Sequence, residues 1–143
     1  MLNETNVMSY LDRVTPQWLA GIFDGEGSIS AFLGPTGNIS LNVRIAQKNK
    51  YMLLLVAFKF PGTFTVHKKD TGNVHSIQWS MRGALPFLNY IKNHVIVKHE
   101  LVLKAIALAE LHKSDYSKNT NQDERLILKE EISNLNSQNR GVH

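Results

Sequence analysis

The stretch from Thr15 to Gly27, TPQWLAGIFDGEG, limits the possible folds more than any other part of the chain. It reads as a helix that runs straight into two acidic residues and a glycine. Thr15 suits an N-cap, and Pro16 takes the first helical position, where a missing N–H costs nothing. Leu19, Ile22 and Phe23 follow i, i+3, i+4 spacing and form one apolar face. Ala20, Gly21 and Gly25 form a second surface with almost no side chain. A glycine inside a helix costs about 1 kcal/mol relative to alanine, so this surface implies the close approach of another backbone. The helix delivers Asp24 and Glu26 where its last carbonyls lack partners. Carboxylate and carbonyl oxygens together suit a hard cation. A glycine-stopped surface terminus would account for Gly27 but not for Gly21. A calcium loop starting at Asp24 would need glycine and glutamate where Ile29 and Pro35 stand, so that reading fails.

At 143 residues the chain is expected to form a single domain, 1–143, with a leading segment over 1–14, a core over 15–113, and a linker and C-terminal helix over 114–143. It has no cysteine, which excludes disulfides, thiolate metal sites and a cysteine nucleophile. The polar start MLNETNVMSYLDR is no secretion signal, and the longest apolar run, Met52 to Phe58, is too short to cross a membrane. These features predict an intracellular protein with no membrane partner. The charge is unevenly distributed. Residues 28–82 hold seven Lys/Arg against one acid, Asp70, a net of +6, while the rest of the chain nets −2. A localised basic region is the footprint of a polyanion-binding face.

The order of elements follows from periodicity. Val7, Met8, Tyr10 and Leu11 suggest a short leading helix. After the acidic helix, Ile29, Ala31 and Leu33 share one phase of a strand. Gly34 to Asn38 is a turn by composition. Ile39, Leu41, Val43 and Ile45 then alternate with Asn38, Ser40, Asn42 and Arg44, so the first set faces a core and the second faces outward. Asn, Ser and Arg carry donors and acceptors that reach base edges and phosphates, although one such strand fits a plain solvent face equally well. Lys50 to Phe60 is apolar on nearly all sides and predicts a buried helix. Thr63 to Lys69 and Val74 to Met81 form a second hairpin, with Phe64, Val66, Ile77 and Trp79 as core candidates. Its outward set, Thr65, His67, Lys69, Ser76, Gln78 and Ser80, repeats the chemistry of the first hairpin. Helices are expected at Arg82 to His94, Lys98 to Lys113 and Asn121 to Ser137, with a polar linker from Ser114 to Thr120 and frayed last residues. The paired histidines His94 and His99 lack further ligands and read as surface or capping residues.

The segment Leu19 to Gly27, LAGIFDGEG, resembles the signature of the LAGLIDADG homing endonucleases. The α-β-β-α-β-β-α order with a helical tail is similar to their α+β core and covers most of the chain. The resemblance implies a curved antiparallel four-stranded sheet that binds DNA. It implies that Glu26, with the carbonyl of Gly25, holds a divalent cation, Mg²⁺ or alternatively Mn²⁺. Ile45-Ala46-Gln47-Lys48 and Val97-Lys98-His99 resemble the family segments that supply a glutamine and a lysine beside the scissile phosphate. Glu26, Gln47 and Lys98 are therefore the implied catalytic set. One departure is that Lys50 and Tyr51 stand where close relatives carry arginine. With only one motif, the resemblance implies a homodimer through Ala20, Gly21, Asp24 and Gly25, cutting both strands of a long near-palindromic double-stranded target. DNA contacts are expected from Ser28, Ser30, Asn38, Ser40, Asn42, Arg44 and Lys48, and from His67, Lys69, Ser76, Gln78 and Ser80. Alternatives on the same fold are an RNA-splicing maturase that binds intron RNA, and a non-cleaving DNA-binding protein.

Overall fold

The computed structural model describes residues 1–114 and 121–140; the expected linker apart from Ser114, which ends a helix, and the last three residues lie outside these. A 3₁₀ helix, Val7–Arg13, precedes α1, Pro16–Glu26. Strands β1, Gly27–Leu33, and β2, Ile39–Gln47, follow, then α2, Lys50–Lys59. Strands β3, Thr63–Lys69, and β4, Gly72–Ser80, complete one antiparallel sheet in the order β1-β2-β4-β3. Helices α3, Leu85–Ile91, α4, His99–Ser114, and α5, Gln122–Arg140, close the chain. The α+β order expected from periodicity is the order observed. No helix among the described residues is long and apolar enough to cross a membrane.

Local sequence sets the helix starts. The Thr15 hydroxyl accepts the Trp18 N–H at 3.1 Å with Pro16 at the first position, and Asn49 accepts the Tyr51 N–H at 3.0 Å to open α2. The helices pack on one face of β1, β2 and β4. Leu41, Val43, Ile45 and Ile77 lie fully buried under Leu19, Phe23, Leu53, Val56, Leu88 and Val102. Full burial of each such side chain is worth about 1.5–3 kcal/mol. Trp79 stacks on Phe87 at 4.4 Å and donates its Nε1–H to the Phe60 carbonyl at 2.9 Å, tying the end of α2 to β4. Gly62 is needed at this crossing, because a Cβ there would stand 2.7 Å from the Gln78 carbonyl oxygen and 2.8 Å from Trp79 Nε1. Lys104 on α4 pairs with Glu131 on α5; that hydrogen bond raises the lysine pKa above its ordinary value.

Four expectations are corrected. Phe64 and Val66 lie on the core-facing phase, yet both are exposed: β3 is an edge strand, beyond the reach of the helices. Across the ladder Phe64 pairs with Ile77 and Val66 with His75. Leu33 and Met8 are also exposed, Leu33 at the end of edge strand β1 although its partner Ile39 on β2 is buried. Helix α2 is buried between the sheet, at Leu53 and Val56, and the leading 3₁₀ helix, at Leu55, but its far end is open and Phe58 faces outward. The single helix expected over Arg82 to His94 is split. A 3₁₀ turn, Met81–Ala84, opened by Met81 at φ 46, precedes α3, which ends at Ile91.

Candidate active site and nucleic-acid interface

Helix α1 passes into β1 without a loop, and Gly27 is the reason. Its backbone is extended (φ −85, ψ 158), so no left-handed stop is involved. A Cβ at this position would lie 2.3–2.6 Å from ring atoms of Phe23. That ring is fully buried and meets Phe87 edge-on at 5.5 Å, so it cannot give way. The junction therefore lies flat over Phe23 and leaves Glu26, the last residue of α1, exposed with its carboxylate unengaged among the described residues. Gly25 beside it is also exposed.

Strand register brings the next residue to the same place. Gly27 pairs with Ile45, so Glu26 and Gln47 sit at one end of the β1–β2 ladder. Gln47 has the core-facing phase of its strand, but it lies where the ladder runs out and is half-buried, opposite His75. Its Oε1 accepts the Lys48 N–H at 2.8 Å, so the NH₂ group is the part of the side chain left for another partner.

Lys98 reaches the end of α1 through Asp24. One Asp24 carboxylate oxygen accepts the Ile96 N–H at 2.7 Å and the other accepts the Lys98 N–H at 3.0 Å. The Lys98 ammonium in turn donates to the Asp24 carbonyl at 2.6 Å. A cation at a helix C-terminus is favoured by the helix dipole. Register thus places Gln47 at the ladder end where α1 enters β1, and Lys98 bonds the main chain of the same helix end two residues before Glu26, while Asp24 is engaged within its own chain.

The Glu26 carboxylate and the Gly25 carbonyl offer oxygen donors of the kind a hard divalent cation takes. Among the described residues no three His, Cys, Asp or Glu side chains cluster as a closed metal site. One carboxylate with a neighbouring main-chain carbonyl matches Mg²⁺, which keeps most of its waters and takes substrate oxygens as further ligands. His94 and His99 are exposed and belong to no such cluster.

The uncovered face of the sheet carries polar rows fixed by pairing. Ser30, Asn42 and Ser80 form one row, and Ser28, Arg44, Gln78 and Thr63 form the next. Ser40 faces Phe32 towards the first hairpin tip, where Asn38 is exposed and bonds Thr36 at 3.1 Å. Lys48, His67 and Lys69 are exposed, the last two towards the tip of the second hairpin and far from Glu26 along the chain register. Ser76 is a correction: it is fully buried, and its hydroxyl is bonded to that of Thr65, so it offers nothing to a ligand. Phe32 was missed. It is exposed and shares the outward phase of Ser28 and Ser30, a parity already visible in GSISAFL.

On α1, Gly21 and Gly25 are exposed, and a Cβ on either would meet nothing within 4 Å. Ala20 does not share this surface. It is fully buried in the core beside Leu19, because the helix turns 100° per residue and carries it under the sheet layer.

Architecture and motif together define a LAGLIDADG-fold protein carrying one motif. Among solved structures, the archaeal intron-encoded homing endonuclease I-Vdi141I complexed with DNA superposes with a TM-score of 0.69 at 17% identity, over 84% of this chain and 82% of that one. I-CvuI in complex with its target in 2 mM Ca gives 0.68 at 15% identity, over 93% and 85%. The LAGLIDADG homing endonuclease I-GzeII in complex with a DNA target gives 0.63 at 28% identity, over 80% of this chain but only 42% of that one. No protein-family model and no curated protein matches at the sequence level.

Proposed function

We propose that this protein is a site-specific, metal-dependent DNA endonuclease that acts as a homodimer. The observation that carries the proposal is that Glu26, the ladder end holding Gln47, and the bond from Lys98 to the Asp24 carbonyl all lie where α1 enters a sheet whose open face is polar and basic. The sheet would lie in the major groove, with Asn42, Arg44 and Gln78 at base edges and Lys48 and Lys69 at phosphates. Glu26 and the Gly25 carbonyl would hold Mg²⁺, which when bound supplies Lewis acidity and water activation. The Gln47 amide would orient the attacking water. Lys98 has three ammonium hydrogens and gives one to Asp24, so two remain for the charge that develops on the phosphate. Hydrolysis breaks the bond from phosphorus to the 3′ oxygen, and a solvent proton neutralises the leaving oxygen.

One chain supplies one carboxylate, and two strands need two. A two-fold dimer through the open stripe of Gly21 and Gly25 provides both. Two further features favour this face. Ile96 and Val97 are 83% and 70% exposed, and Asp24 holds their backbone against α1. Similar structures also come in two lengths. The fold accounts for 82–99% of some chains and 42–44% of others, as expected if two such units are needed.

The test is a selection of cleaved sites from a random duplex library, with Mg²⁺ and with chelator. Recovery of one long near-palindrome only with Mg²⁺ is expected. Tight binding of structured intron RNA with no DNA cut under any condition would replace this reading with the splicing one.

A further inference from the structure

The segment Val95 to Lys98 has little packing of its own. Val95 on one side and Leu101 and Val102 on the other are anchored in the core, but Ile96 and Val97 between them point into solvent, so core contact fixes the ends of the segment and not the Lys98 side chain itself. The polar contacts that fix it all go to Asp24. Its two carboxylate oxygens take the Ile96 and Lys98 N–H groups, across 72 and 74 residues of sequence, at the start of α4. Helix starts carry unpaired N–H groups and a partial positive charge, and a carboxylate answers both. Here it comes from another helix. Because those oxygens face N–H groups, the Lys98 ammonium is bonded to the Asp24 carbonyl and not to the carboxylate. Its charge is therefore left for a substrate rather than neutralised in an ion pair.

Resting on the endonuclease reading, we infer that Asp24 is the positioning residue that sets the Lys98 ammonium beside Glu26. Asp24 touches neither substrate nor metal. It acts through the backbone of 96–98, and its carbonyl fixes one ammonium hydrogen. An asparagine cannot replace it, because the amide offers one acceptor and turns NH₂ towards the second N–H.

The experiment uses the full chain and the target recovered from the duplex library. Single-turnover cleavage in Mg²⁺, binding in Ca²⁺ and thermal melting are recorded for wild type, Asp24→Asn, Lys98→Ala and the double variant. Asp24→Asn is expected to cut at least about tenfold slower while binding within about threefold of wild type, a loss confined to the transition state. Residues that act as one unit are non-additive, so the double variant should cut no more slowly than Lys98→Ala alone. Asp24→Ser, which keeps one acceptor, should fall between wild type and Asp24→Asn. A double variant slowed by the product of the two single effects would overturn the proposal. So would Asp24→Asn cutting at the wild-type rate, or loss of melting transition and binding together in both Asp24 variants. A wild type that cuts no DNA would instead overturn the endonuclease reading itself.

Discussion

Gly21 offers a test in which the sign of the effect, and not only its size, reports what the motif helix faces. In the isolated chain its side is open, with nothing within 4 Å of an added Cβ. If α1 faces water, Gly21→Leu simply improves a helix interior by roughly 0.8 kcal/mol. Spread over the unfolding entropy of 143 residues, that raises Tm by roughly 2–3 °C. If α1 faces a second copy, four added carbons enter a contact shaped for none. Overpacking of this kind costs about 1–3 kcal/mol, and the two-fold axis makes each substitution count twice. The total, about 2–6 kcal/mol, weakens association between about thirtyfold and about twenty-five-thousandfold. Tm should then fall, since the association term is lost. Light-scattering mass across a concentration series, melting, and plasmid linearisation measure the three consequences. We expect a half-mass species, a lower Tm and loss of linear product. A variant that melts higher, with unchanged mass and unchanged double-strand cutting, would refute the argument that the glycine stripe is an interface.

Three other outcomes follow from the site and the sheet. Glu26→Gln should lower cleavage by orders of magnitude while Ca²⁺-supported binding survives, and Lys98→Ala should slow cutting less; wild-type cutting by Glu26→Gln would remove the metal role from Glu26. Arg44→Ala should cost about 1–3 kcal/mol in binding and relax preference at one symmetric pair of positions, checked by titration against single-base variants of the target. Phe32, exposed on the outward phase, should favour thymine methyls near the hairpin tip. Replacing thymine by deoxyuridine there should weaken the wild type but not Phe32→Ser, and equal weakening of both would end that assignment.

Much of the architecture was legible because two signals agreed. Alternation in ISLNVRIAQ marked β2 and its faces residue by residue, and the capped, small-surfaced helix before it marked α1. Periodicity fails where coverage, rather than pattern, decides burial. Phe64 and Val66 have the right phase but stand on an edge strand, a matter of strand order that no local window contains. Ala20 and Gly21 look alike as small residues, yet the 100° step between neighbours on a helix separates a core position from an open one. At the site, Glu26 could be singled out from the acidic helix end. Asp24 could not be told from it by residue type; only the fold shows its carboxylate engaged 72 and 74 residues further along the chain. Ser76 was misassigned for a related reason: its cross-strand partner Thr65 satisfies and covers it.

The two free edges of the sheet are guarded by different means. An unpaired strand edge invites strand addition from another chain, and lysine is a common deterrent. On β3, Lys68 and Lys69 are exposed and fill that role. β1 carries no charge at all in GSISAFL, a short, β-prone run of the sort that zips into aggregates. There α5 packs alongside, and the Asn136 side chain donates to the Ile29 carbonyl at 2.8 Å. The terminal helix is thus a cover for an aggregation-prone edge as much as a layer of the core. A chain cut short before residue 122 would expose that edge, and its characteristic failure would be self-templated sheet growth rather than simple unfolding.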